Sequence, residues 1–159
     1  FWSNEAHWAW ATKPNDREKA SFLKENILPI EESGQLKFVV PGEKKFHQLP
    51  SSSFAAGIDI RFVSGHTESM MLPQIQYKEK TIVYMADLLP SAAHLPIPYV
   101  MAYDTRPLQT LNEKKEFLAE AAENDYILFF EHDPHIECCS LQQTEKGVRM
   151  KDALRLDEM

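Results

Sequence analysis

Three polar residues stand where chemistry would need them. His66 follows the apolar run Ile60-Arg61-Phe62-Val63 across a Ser64-Gly65 turn. Asp87 comes 21 residues later, directly after Thr81-Ile82-Val83-Tyr84-Met85-Ala86. His132 comes a further 45 on, after Ile127-Leu128-Phe129-Phe130-Glu131. Each lies just beyond the C-terminal end of a run with strand character, and ligands in layered α/β folds collect at such sheet edges. Two imidazoles and a carboxylate make a donor set for a hydrolytic cation, and a carboxylate can bridge two of them. Singly, each has an ordinary reading, as a turn histidine or a capping aspartate. The weight lies in the ordered set, SGHT, then YMADLLP, then FFEHDP.

The elements that must position this set can be read from periodicity and punctuation. The stretch NEAHWAWA (4–11) forms one or two helical turns capped by Asn4. Asn15 caps a predicted helix over 15–27, with Ala20, Leu23 and Ile27 on one stripe and Pro29 as its stop. GQLKFVV (34–40) is a predicted strand, KKFHQLPSSSFAAG (44–57) a loop or short strand, and IDIRFV (58–63) a half-buried strand. MMLPQIQY (70–77) and KTIVYMA (80–86) pair as a hairpin about Lys78-Glu79. The segment 88–107 holds too many prolines for one regular element. Thr110 and Glu113 have capping-box spacing before a helix over 110–124, whose buried stripe is Leu111, Leu118, Ala121 and Ala122. DYILFFE is a buried strand, HIECCSLQQ and GVRM a closing hairpin, and KDALRLDEM a short terminal helix. Helices alternating with strands, some paired as hairpins, predict an α/β (α+β) chain with a mixed β-sheet flanked by helices.

On these motifs the chain resembles the metallo-β-lactamase-fold hydrolases. Gly65-His66-Thr67 is similar to that family's Gly-His-Thr metal turn, Asp87 to its aspartate after a hydrophobic strand, and His132 to its next histidine. The pair His132-Asp133 most resembles the lactonase-like branch. The resemblance covers about residues 36–150. It implies the C-terminal half of an αββα four-layer sandwich, with His66, Asp87 and His132 as metal ligands. It further implies two zinc ions in the complete parent, with iron or manganese as substitutes, and hydrolysis of a lactone, thioester or other ester by metal-activated hydroxide. Two features depart from the pattern. Glu68-Ser69 replace the usual Pro-Gly after the histidine turn. The family's His-x-His-x-Asp-His string, which belongs to its N-terminal half, is absent from these 159 residues.

The reading for the domain is therefore that residues 1–159 form the C-terminal portion of one metallo-hydrolase domain. The opening FWSNEAHWAW, with aromatics and no Met, reads as a cut edge. Alone, such a chain is expected to be inactive, and its partner is the missing half or another copy of itself. The competing reading is a non-catalytic α/β binding or assembly module that holds no metal. Among the remaining residues, His94 and Tyr103 are candidates to face the same cleft, His94 against a turn or ligand-orienting role and Tyr103 against a buried one. His7 and His47 read as surface or interface residues, and His135 as a strand start. Trp2, Trp8 and Trp10 read as core packing ahead of a substrate pocket. REKASFLKEN reads as a solvated helix face.

Composition narrows the partners. The formal net charge is −7, with no basic cluster, which argues against nucleic acid and anionic membranes. No apolar run reaches the roughly 18 residues that span a bilayer. The two cysteines, Cys138 and Cys139, are adjacent and make no disulfide framework, so they read as buried thiols in a reducing cytoplasm.

Overall fold

The computed structural model describes residues 1–40 and 57–159, together with the backbone of 46–48. Strand β1 (Trp2–Ser3) leads into α1 (Glu5–Thr12), and α2 (Lys24–Glu32) into β2 (Lys37–Phe38), which pairs with β1 in parallel. The main sheet then follows as β3 (Phe46–Gln48), β4 (Ile58–Val63), β5 (Met70–Tyr77) and β6 (Lys80–Tyr84). Helix α3 (Pro107–Glu123) crosses to β7 (Ile127–Phe129), and β8 (Cys138–Thr144) and β9 (Gly147–Leu154) close the chain. The seven strands lie in sequence order, and every pairing is antiparallel except β6 with β7. The sheet is mixed and helix-flanked, as the sequence predicts.

This topology places the site. Strands β6 and β7 are parallel neighbours, so their C-terminal ends share an edge. Strand β4 is two antiparallel steps from β6, and two reversals restore its direction. His66, Asp87 and His132 therefore leave the sheet on the same side. The alternation of side chains explains the two apolar clusters. Val63, Leu72, Val83, Leu128 and Cys139 pack with Phe117, Leu118 and Ala121 of α3. On the opposite face Ile82, Ile127 and Cys138 form a smaller cluster with Phe129, Leu154 and Leu156.

Helix α3 docks closely because residue 65 has no side chain. A Cβ at Gly65 would lie 2.3 Å from the Thr110 backbone nitrogen. The anticipated capping box is not made. The helix begins at Pro107, which puts Thr110 inside its first turn and buries it. Glu113 turns instead to the β4 exit, where Oε1 accepts from Ser64 N at 2.8 Å and Oε2 from Gly65 N at 2.9 Å. The stripe is also broader than expected. Phe117 and Lys114 are buried with Leu118 and Ala121, whereas Leu111 and Ala122 are partly exposed.

Three further expectations need correction. Residues 16–22 are turns, not helix, because the Asn15 carboxamide oxygen accepts from both Arg17 N and Glu18 N and fixes a local turn. The helix that follows contains Pro29 in place of ending there. The strand expected over 34–40 is two residues long, limited by its two-residue partner. The first four residues of KDALRLDEM extend β9, paired to β8 through Leu154, and only Leu156–Glu158 turn helically. His47 belongs to β3, and its side chain lies outside the described residues. Among the described residues, no helix is long and apolar enough to cross a membrane.

Candidate functional site

The three strand exits meet around Asp87. His66 Nε2 lies 3.3 Å from Asp87 Oδ2, and His132 Nε2 lies 3.3 Å from Asp87 Oδ1. A sharp turn aims the carboxylate. Ala86 adopts φ 41°, a left-handed conformation that costs a non-glycine residue about 1–2 kcal/mol, immediately beyond β6. The backbone N–H of His132 donates to Pro90 O at 3.1 Å, which ties the β7 exit to the β6 exit.

His66 is oriented from its other nitrogen. Nδ1 lies 3.0 Å from Asp104 Oδ1, and the Asp104 carboxylate is fully buried. A carboxylate acceptor favours a proton on Nδ1, the neutral tautomer whose Nε2 could ligate a cation shared with Asp87. Burial alone would lower the His66 pKa; the Asp104 hydrogen bond and the charges of Asp87, Asp104 and Glu18 outweigh it and raise the value. The His66 carbonyl accepts from Thr105 N at 3.0 Å and from Thr105 Oγ1 at 2.9 Å. Asp104 stands beside the candidate Tyr103, and only its acidic type, next to a tyrosine in a proline-flanked loop, signals it in the sequence.

The donors suit a cation. Oδ1 of Asp87 is buried and has no hydrogen-bond partner among the described atoms. Two tetrahedral ligands at about 2.0–2.2 Å from an ion stand about 3.3–3.5 Å apart, which matches both imidazole–carboxylate separations. The two pairs use different oxygens of one shared carboxylate, so each could offer two donors to a separate ion. Among the described residues no three His, Cys, Asp or Glu side chains converge on a single ion position.

A cleft of about 1130 Å³ opens over these residues. His94 and Tyr103 both line it, as do His7, Arg17, Glu18 and Phe22 from the N-terminal segment. His94 Nδ1 is 2.9 Å from Ser91 Oγ, and burial followed by the Lys114 charge lowers the His94 pKa. Tyr103 is 74% exposed, so its phenol is not buried. The wall carrying His94 hangs on Lys114. Its ammonium, fully buried, donates to the carbonyls of His94, Pro96 and Tyr99 at 2.8, 2.9 and 2.6 Å. Burial pulls the Lys114 pKa down to about 8, against the opposing pull of Asp104.

Several residues read as bland in the sequence belong here. His7 is no simple surface residue: Nδ1 is 2.7 Å from Glu68 O, and its ring meets Phe22 edge-on. Glu18, expected on a solvated face, is 8% exposed and lies at the cleft floor. His135 lies in the exposed bend before β8, where its N–H donates to Asp133 Oδ1. Asp133 also accepts from Ile136 N and Ala92 N and so binds the His132 loop to residues beyond Asp87. The tryptophans do not line the cleft. Cys138 and Cys139 are buried free thiols, and burial raises their pKa values to about 11 and about 12.

No protein-family model and no curated protein matches the chain. Solved structures do. A probable metal-dependent hydrolase from Staphylococcus aureus matches at 21% identity and TM-score 0.76, over 97% of this chain and 53% of its own. The hydrolase AbOPH of the β-lactamase superfamily matches at 15% identity and TM-score 0.73, over 97% and 55%. AidC, a dizinc quorum-quenching lactonase solved with the product N-hexanoyl-L-homoserine, matches at 17% identity and TM-score 0.67, over 98% and 55%. The chain spans about half the length of the solved relatives it matches. The resemblance read from the three motifs holds at the level of architecture: this chain has the fold of metal-dependent hydrolases of the metallo-β-lactamase superfamily, over about half of theirs.

Proposed function

We propose that the chain is the C-terminal portion of a metal-dependent hydrolase acting on a lactone, thioester or other ester. The observation that carries this reading is the Asp87 carboxylate between two imidazole nitrogens, each at 3.3 Å, with His66 Nδ1 3.0 Å from Asp104 Oδ1. His66 and Asp87 would hold one ion, and Asp87 and His132 a second; zinc fits the donors, with iron or manganese as substitutes. When bound, such a centre supplies an acidified water and a Lewis acid for the ester carbonyl.

The chain's own residues do the rest. Phe22, Met70 and Met101 line the cleft with apolar surface for the acyl part of a substrate. Ser91 Oγ lies 2.9 Å from His94 Nδ1, and with the hydroxyl as donor the His94 proton would sit on Nε2, available to an ester oxygen. Tyr103 presents a phenol from the same wall. The formal charge of −7 disfavours a polyanionic phosphodiester. Each half-site has two donors, so the remaining ligands come from the missing half or from another copy of the chain, and the chain alone turns over substrate negligibly.

A second reading, the module without metal, draws on the absence of a three-donor group among the described residues. One experiment separates the two. Zinc is titrated into the 159-residue chain and its Asp87→Ala variant, and both are assayed on an activated aryl ester and a lactone. Zinc binding that disappears in the variant, with negligible turnover alone, supports the hydrolase. No binding after reconstitution supports the module. Robust turnover surviving Asp87→Ala would sink the hydrolase reading.

A further inference from the structure

Two consecutive residues of the N-terminal turn reach both sides of the His66–Asp104 pair. The Asn15 carboxamide oxygen accepts from Arg17 N at 2.9 Å and Glu18 N at 3.1 Å, which aims the two side chains. Glu18 Oε1 accepts from Thr67 Oγ1 at 2.7 Å, and Thr67 directly follows His66. Glu18 Oε2 accepts from Trp10 Nε1 at 2.7 Å and Asn15 Nδ2 at 2.6 Å. Arg17 donates to the carbonyls of Ala102 and Asp104, and the side chain of that same Asp104 holds the His66 ring. The guanidinium of Arg106 covers Trp10 at 5.1 Å and so backs the indole that Glu18 engages.

Packing alone does not call for this arrangement. Glu18 and Thr67 are 8% and 6% exposed, and a buried carboxylate is costly unless every oxygen is satisfied. Apolar residues of similar size would fill the same volume at no such cost. The contacts converge on the two residues flanking one imidazole, His66 through its neighbour Thr67 and Asp104 through its own carbonyl.

We propose that Arg17 and Glu18 are positioning residues, which brace the Thr67 and Asp104 segments and thereby set the ring orientation at which His66 Nε2 faces Asp87. The ring orientation can be read without a metal. The consequence for affinity rests on the reading of His66 as a metal ligand. Partners that orient a ligating histidine are worth about 10–100-fold in metal affinity.

The test uses the full chain with ¹⁵N-labelled histidine, first metal-free and then titrated with zinc against a chromophoric chelator. The variants are Glu18→Gln, Arg17→Ala and Arg17→Lys, with Leu141→Ala in the core cluster as a destabilised control. In the wild type the neutral form of the His66 ring carries its proton on Nδ1. Glu18→Gln and Arg17→Ala are expected to mix the tautomers and weaken zinc binding about tenfold or more. Arg17→Lys restores most of the signal, and Leu141→Ala leaves the tautomer unchanged. A His66 signal unchanged in both Glu18→Gln and Arg17→Ala overturns the proposal, as does an equal change in Leu141→Ala. A tautomer shift in those variants with no zinc bound even by wild type upholds the brace and removes the metal reading, so the two failures are distinct.

Discussion

His66 and His132 stand at the same 3.3 Å from opposite oxygens of one carboxylate, yet they are held in different ways. The His66 side chain is 17% exposed and its ring is fixed through Asp104, its carbonyl through Thr105 and its neighbour through Glu18. The His132 side chain is 54% exposed and is secured at the backbone, by its N–H to Pro90 and by the bonds of Asp133 that close its loop. The ring on the His66 side is therefore arranged before anything binds. The His132 side holds its backbone in place and leaves its ring to adapt. Electrostatic preorganisation has its value in groups that need not move, so under the proposed reading the His66 side would hold its ion the more tightly.

The sharpest way to break this comparison is to remove what both sides share. Asp87→Ala is expected to abolish zinc binding by the chain, read by calorimetric titration, and to reduce hydrolysis by the completed enzyme to background. Separating the halves comes next. His66→Ala is expected to cost about 10–100-fold in zinc affinity and His132→Ala several-fold less, since only the first also forfeits an oriented donor. Equal losses would erase the distinction.

The tight packing behind His66 can be tested without a metal. In Gly65→Ala the new Cβ meets the Thr110 backbone at 2.3 Å, so α3 must shift. The expected destabilisation is about 1–3 kcal/mol, measured by denaturant unfolding. A variant within 0.5 kcal/mol of wild type, about the scatter of ordinary surface changes, would show that the helix is not seated so closely.

On the His132 side the effect is a pH dependence. Burial tends to raise the Asp133 pKa, but the backbone N–H groups of His135, Ile136 and Ala92 outweigh it and lower the value. A carboxylate with a lowered folded pKa contributes stability that is complete above its unfolded value, about 3.9, and is lost as pH falls through the folded value. The stability gap between wild type and Asp133→Asn should thus be constant above about pH 5 and close in stronger acid. A gap that persists at the lowest pH would assign it to packing. The smallest effect falls on the sheet itself. Cys138 and Cys139 should resist maleimide labelling at neutral pH until the chain unfolds, because burial raises both thiols to about 11 and about 12.

How much of this was legible follows from the range of each interaction. The strands bearing His66, Asp87 and His132 announce themselves, because period-two apolar runs stop at polar residues, and direction in the sheet then brings their ends together. Helix α3 was visible from its apolar residues, but its cap was not. Glu113 has the right spacing for a capping box, and only the packed β4 exit offers it two better donors. Glu18 and Lys114 were hidden for the same reason. In sequence each is a charged residue among charged residues, yet Glu18 reaches Thr67, 49 residues away, and every carbonyl that Lys114 holds is at least 15 residues away. Asp104 had no local pattern at all, since its partner is a ring 38 residues earlier.

Lys114 has a consequence for how such a cleft can change over generations. The three oxygens it gathers belong to the main chain of residues 94–99, not to their side chains. Any sequence able to trace the same path can therefore hang from the same ammonium. Side chains on that wall other than the core-packed Leu95 and Ile97 can be exchanged without touching the bonds that hold it. Selection for a different occupant of the cleft can work on those positions as on interchangeable tiles, while Lys114 keeps the frame.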